Sequence, residues 1–471
     1  MSLQDIKKSK WSVFVITSMA NLGAAFAINS LNLALPFLRE EFCASQAEVS
    51  WLALVYALLP CCCLLFFGRL ADIYGYKGQY LLGFGFFSAA SILAPLLSHS
   101  LSVLIFFRAL QGIGYSMLIS ITQATIYRTF PPDECGRALG VNTVFVSVGF
   151  VSGPCIGGFL LEYFGWHAIF YFSAVFTVLG FFGAWFILEN DSGGKEGAVS
   201  LDLAGSIVFM AATGLFAVSL NSVGSAESYG RLLIQLGISA LLFLLFVKIE
   251  KRAKYPLLPL ELFRNKAFTL AGCASGLSYL TQQLTTYLFP FFLADVLLFS
   301  AKHAGSIMLT APLLMMLMAP VGGALIDKKG TVLPAVIGLS MMGAACIGIS
   351  FFTESVSIWL VIFVLMLVGA GNAFSSCAIN TTILQSADRS MSGVASGALG
   401  TTRNIGNTMG IAFGSAMLEL LQNHYSAGLS MAEAHLKAQQ IIFLFGAGFA
   451  AAGILLFLKL SVSGESNRDA K

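Results

Sequence analysis

GRLADIYG at residues 68–75 and GALIDKKG at residues 323–330 carry one pattern, G-x-L-x-D-x-x-G, written twice in the chain. Each copy closes an apolar run about long enough to cross a bilayer and opens another. Other pairs recur at nearly the same offset: Pro36-Phe37 with Pro290-Phe291, Gly112-Ile113-Gly114 with Gly369-Ala370-Gly371, and Ala138-Leu139-Gly140 with Ala398-Leu399-Gly400. A first half is read again in a second. Glycine permits the tight reversal, and an aspartate at a helix end can bind a helix N-terminus or a basic side chain. Gly68, Asp72 and Gly75, with Asp327 and Gly330, therefore form a candidate latch that holds one state and releases another.

Apolar runs of spanning length fall at about 12–36, 50–70, 78–97, 102–126, 137–161 and 167–188, then at about 203–222 and 231–249, then at about 268–293, 303–326, 332–352, 357–381, 392–421 and 438–461. The predicted fold is an all-α integral membrane protein of about 14 transmembrane helices. Two six-helix pseudo-repeat bundles flank two inserted central helices that have no counterpart elsewhere in the chain. The expected boundaries are 1–188 for the first bundle, 189–266 for the linkers and helices 7 and 8, 267–461 for the second bundle and 462–471 for a tail.

Composition supports this and excludes much else. The chain is 57% hydrophobic and 10% charged, whereas a soluble domain carries about a quarter charged residues. No stretch between the runs is long enough for a soluble domain of about 50 residues. If the segments alternate, most Lys and Arg fall on one side, which places both termini in the cytoplasm and the protein in the cell membrane. The basic 248–266 stretch is explained by that topology without a nucleic acid. The nine cysteines lie mainly in apolar runs with no C-x-x-C pair, so neither a disulfide framework nor a metal site is expected. Zinc-protease, hydrolase and P-loop motifs are absent, so no enzyme and no cofactor is expected.

Polar residues in the runs point to a path. Arg108 and Arg403 stand far from segment ends, where a charge costs about 2.5–3.5 kcal/mol to insert. Arg108 shares a helical face with Gln111 and Tyr115, and Arg403 with Asn407, and both faces are expected to look into a wet interior. The first segment adds Asn21, Asn29 and Asn32, and the ninth adds Tyr279, Gln282 and Gln283. In the fifth, Gly149, Gly153, Pro154, Gly157 and Gly158 combine a small-residue stripe with a helix-bending proline.

These motifs together resemble the signatures of major facilitator superfamily transporters: the double turn, the run Arg108 to Gly114, and the Gly153-Pro154-Cys155-Ile156-Gly157-Gly158 run of the antiporter type. Two extra helices and Leu31-Asn32-Leu33-Ala34-Leu35-Pro36 are similar to the fourteen-helix drug:proton antiporter branch, linked to multidrug efflux and drug resistance. The resemblance implies a monomeric exporter of small molecules driven by protons, with Asp72 as latch, Arg108 tuning cavity polarity, and Gly153 with Pro154 restricting leak. One departure stands out. The branch usually carries an aspartate in helix 1 where this chain has Ala27. Asp295 and Glu419, near the outer ends of helices 9 and 13, are the candidate replacement proton carriers. Two cargo classes stay open: amphipathic drug-like molecules in exchange for protons, or an anionic or neutral metabolite or lipid, uncoupled or with another ion. Two arginines without central carboxylates favour the second on charge grounds.

Overall fold

The computed structural model describes residues 10–189, 203–221, 229–252, 264–386, 392–426, 428 and 430–465. Both linkers, except Glu189, 248–252 and 264–266, and the last six residues of the expected tail lie outside them. Fourteen helices are present among the described residues: α1 (Lys10–Glu41), α2 (Gln46–Tyr74), α3 (Tyr76–Leu97), α4 (Leu101–Thr129), α5 (Pro132–Phe164), α6 (Trp166–Ile187), α7 (Leu203–Asn221), α8 (Tyr229–Glu250), α9 (Lys266–Phe291), α10 (Ala301–Lys329, broken at Leu309), α11 (Val332–Ser350), α12 (Ile358–Gln385), α13 (Ser392–Tyr425) and α14 (Met431–Glu465). Eleven are long and apolar enough to cross a membrane. α7, α9 and α13 fall short on that measure. In α9 and α13 the reason is the Ser, Thr, Asn and Gln residues they carry where other helices carry Leu or Phe.

The helices sort into two compact units. One comprises Met1–Gly214, Leu241–Leu257 and Ser300–Gly305, and the other Leu215–Ala240, Leu258–Phe299 and Ser306–Lys471. Within the first, the main packing pairs are α1 with α5 and α6, α2 with α4, and α3 with α4 and α6. Within the second they are α9 with α13 and α14, α10 with α12, and α11 with α12 and α14. One pairing scheme thus serves both units. The first is cored by Tyr80, Phe84, Leu118 and Ala184, the second by Phe268, Leu339, Ile379 and Phe457. α7 makes contacts of its own. Its Met210 packs among Cys62, Cys63, Phe67 and Met117, and Phe209 meets Phe246 of α8.

Local chemistry sets the helix ends. Ser45 and Glu48 form a capping box at the start of α2, and Ser430 and Glu433 exchange the same bonds at the start of α14. Asn265 caps α9 through the backbone N–H of Ala267 at 2.9 Å, and its amide donates to the Ser386 carbonyl at 2.8 Å, tying α9 to the end of α12. Asn265→Ala is expected to cost about 1 kcal/mol, read as a lower unfolding temperature in detergent.

The two repeated turns close on Gly75 and Gly330, whose φ of 92° and 74° lie in the region that disfavours side chains. Each donates its N–H back into the preceding helix, to Ala71 and Ile326. Gly68 and Gly323, which open the pattern, behave differently: a Cβ on either would meet nothing within 4 Å. Close helix approach is therefore not what those two glycines serve in this conformation.

Candidate functional site

Arg108 lies on α4 and is 2% exposed. Its Nε donates to the Leu52 carbonyl of α2 at 3.2 Å, and one terminal nitrogen donates to Gln111 Oε1 at 2.8 Å. Gln111 passes the chain on to Ser91 Oγ of α3 at 2.7 Å. The guanidinium carbon lies 4.1 Å from the centre of the Tyr56 ring, which is itself stacked on Tyr115. A cation over an aromatic face is favourable, more so when desolvated. No carboxylate pairs with Arg108 among the described residues. Ala27 packs in the cluster of Tyr56, Phe87 and Tyr115, so the missing helix-1 acid is a methyl group beside this site.

The expectation that Arg108 and Gln111 line a wet interior is corrected here. Both are enclosed in the bundle, where two hydrogen bonds and a ring face hold the guanidinium. Tyr56 went unnoticed in the sequence, since a tyrosine in an apolar run has no signature of its own. Its buried hydroxyl has no hydrogen-bond partner. Asn21 and Asn29 are also buried, bonded to Asn142 and to the Ala25 carbonyl, while the Asn32 amide nitrogen is buried without a partner.

The α5 glycines face α1. A Cβ on Gly149 would lie 2.7 Å from Ala25 Cβ, and one on Gly153 would lie 2.6 Å from Asn29 Cβ; on Gly157 it would collide with Ser30. Gly158 instead meets the Ala301 carbonyl, and Pro154 lies against Gly305. The second unit repeats this at one constant offset, with Gly406, Gly410 and Gly414 of α13 against α9. A Cβ on Gly406 would lie 3.0 Å from Tyr279 Cβ, one on Gly410 2.8 Å from Gln283 Cβ, and one on Gly414 3.1 Å from Leu284. Carrying the α5 stripe forward by the Gly112 to Gly369 spacing would have found it in the sequence.

On α9, Tyr279, Gln282 and Gln283 form a half-buried face. Tyr279 interacts through its hydroxyl with Arg403 of α13 and Asn380 of α12. Arg403 and Asn407 are half-buried on α13, and no direct bond joins them. Of the latch residues, Asp327 is exposed and has no bonding partner among the described residues, and the Asp72 side chain lies outside them.

Asp295 and Glu419, the candidate proton carriers, are both half-buried. Asp295 sits in a π turn (Phe292–Val296) that continues α9. Its carboxylate is 3.5 Å from Nδ1 of His435, whose side chain is 1% exposed. Gln422 of α13 approaches Nδ1 at 2.6 Å, and Gln439 approaches Nε2 at 2.9 Å while donating to the Leu288 carbonyl at 3.0 Å. Glu419 is half-buried on α13. His435 escaped the sequence reading because it stands at the start of an apolar run, where a histidine is usually wet. No group of three His, Cys, Asp or Glu is placed to hold a metal ion among the described residues.

Comparison with known proteins agrees with this architecture. The riboflavin transporter RibZ of Clostridioides difficile (strain 630) is 30% identical over 451 residues, covering 95% of this chain and 97% of that protein. The multidrug resistance protein Stp of Mycobacterium tuberculosis (strain CDC 1551 / Oshkosh) is 29% identical over 385 residues, covering 81% of this chain and 71% of Stp. Among solved structures, the POT family transporter PepTSo superposes with a TM-score of 0.73 at 15% identity, covering 97% of this chain and 99% of that one, a likeness of fold. The family model described as Major Facilitator Superfamily matches residues 17–411, and the chain is therefore a multi-pass membrane transporter of the Major Facilitator Superfamily, not an enzyme.

Proposed function

We propose that this transporter moves planar aromatic small molecules that are neutral or anionic, of the size and chemistry of a flavin. One observation carries the reading: a buried Arg108 lies on the Tyr56 ring with no carboxylate partner among the described residues, beside Ala27. A fixed positive charge in a low-dielectric site repels a cationic cargo and tolerates a neutral or anionic one. Within the second unit, Arg403 stands beside the Tyr279 hydroxyl. Similarity to a riboflavin transporter along nearly the whole chain supports the cargo class.

The transporter works by alternating access, with residues 1–188 and 267–461 as its moving bodies and 189–266 as connecting helices. Asp72 and Asp327 serve the repeated turns as latches, and one chain suffices. Both termini lie in the cytoplasm, by the distribution of Lys and Arg. A second reading, proton-coupled export of drug-like cations, is favoured by the Gly153-Pro154 stripe and by the multidrug relatives.

Counterflow in lipid vesicles separates the two. Vesicles holding the purified chain and loaded with riboflavin are expected to accumulate labelled riboflavin in a saturable way and to exchange ethidium poorly. Ethidium exchange as fast as that of riboflavin overturns the cargo assignment.

A further inference from the structure

The buried ring of His435 belongs to none of the cargo-binding features above. Its contacts with Gln439 and Gln422 bear on where its proton sits. Gln439 donates through its amide nitrogen to the Leu288 carbonyl, so it must present that same nitrogen, a donor, to His435 Nε2. Nε2 therefore accepts. A neutral imidazole then carries its hydrogen on Nδ1, facing the Asp295 carboxylate and the Gln422 amide, which must turn its carbonyl to the ring. Gln439 is 1% exposed, and its own carbonyl oxygen is buried without a partner. The network has room for one more hydrogen.

We infer that His435, backed by Asp295 and read by Gln439, is the proton-binding site of the second unit. The inference rests on the transport reading above and gives it a coupling ion. The step is a proton transfer alone. One O–H bond of a hydronium ion breaks as its proton bonds to Nε2 and a water molecule is released; the ring becomes an imidazolium beside the Asp295 carboxylate, and no other covalent bond changes. Two donors then face each other at Nε2, so the Gln439 amide turns. Its orphan oxygen accepts from the new N–H, and the Leu288 carbonyl loses the Gln439 donor. Leu288 precedes Pro290 and the π turn of α9, so the change is delivered to the helix that carries Tyr279, Gln282 and Gln283.

Other charged groups stand on the elements around the ring. Glu419 lies one turn before Gln422 on α13, and exposed His424 lies at the end of that helix. On α14, Glu433 bonds Ser430 and Lys437 lies over the Tyr425 ring, and Glu354 is exposed after α11. Asp295 is the carboxylate within 4 Å of the ring among the described residues.

Two measurements on the full chain test this. With histidines labelled in ¹⁵N, the five ring signals are followed from about pH 8 to about pH 5, the range where imidazole changes charge. One signal, lost in His435→Gln, is expected to start as the Nδ1–H tautomer and to gain a proton in that range. Asp295→Asn is expected to displace that transition by about one pH unit, tenfold in proton concentration. In vesicles with a trapped pH dye, an imposed riboflavin gradient is expected to move protons in the wild type. His435→Gln keeps riboflavin counterflow within about twofold and loses the proton movement.

A ring that stays neutral throughout, or His435→Gln moving protons as fast as wild type, overturns the assignment. Absence of riboflavin exchange in the wild type overturns the cargo, while the ring titration still decides the site. If His435→Gln does not reach the membrane, the wild-type and Asp295→Asn titrations decide: no signal that both titrates and responds to Asp295 overturns it.

Discussion

Gly153→Ala is expected to lower the initial rate of counterflow at least about tenfold and to destabilise the chain, although it adds one methyl group. That group would lie 2.6 Å from Asn29 Cβ and 3.2 Å from the Ser30 backbone nitrogen, well inside the contact distance of close-packed carbon. Overpacking of this kind costs about 1–3 kcal/mol. Alanine returns about 1 kcal/mol of helix propensity, so the net sign is set by the clash with α1. Gly68→Ala is the control of opposite sign. Its Cβ meets nothing within 4 Å, so the propensity gain stands alone and the unfolding temperature is expected to rise. Gly410→Ala, 2.8 Å from Gln283 Cβ, is expected to repeat the Gly153 result in the second unit. Wild-type transport and stability in Gly153→Ala would show that α1 and α5 are not held by this contact.

Arg108→Ala is expected to reduce riboflavin counterflow about a hundredfold while the chain still inserts. The substitution removes a cation–π contact of about 2 kcal/mol and charge-assisted hydrogen bonds of about 1.5–3 kcal/mol each. It also leaves the buried Gln111 Oε1 without its donor. Arg108→Lys keeps the charge but not the planar fork that reaches Leu52, Gln111 and the Tyr56 ring together, and an intermediate loss of about tenfold is expected. Ala27→Asp places a carboxylate in the cluster that holds Tyr56 and Tyr115. It is expected to neutralise the site and move the ratio of ethidium to riboflavin exchange towards the cation. An unchanged ratio would detach cargo charge from Arg108.

The repeat and the membrane class were legible because they depend on spacing and apolarity, which sequence states directly. The doubled turn, the Gly112 and Gly369 pair and the positive φ of Gly75 and Gly330 all follow from what glycine alone can do. Arg108 was legible as special but not as buried. Whether a charge is wet depends on Leu52, Tyr56 and Ser91, which come from other helices. For the same reason His435 was invisible: its meaning lies in Asp295, Gln422 and Gln439, and two of those belong to other elements. One expected span, the run at about 268–293, is not among the eleven helices long and apolar enough to cross a membrane. Its Ser, Thr, Tyr and Gln residues lower the mean hydropathy of α9, and some of them lie on its half-buried face.

The uncompensated guanidinium of Arg108 also bears on bioenergetics. A carrier in an energised membrane must not short-circuit the potential, and a path wide enough for an aromatic cargo is wide enough for sodium or a file of water. A permanent positive charge in a dry bundle raises the energy of any small cation near it, as fixed positive groups do in channels that exclude protons. A helix-1 carboxylate would cancel that barrier, whereas Ala27 leaves it standing. If Arg108 sets cargo preference as proposed, the same charge also opposes passive ion leak when no cargo is bound.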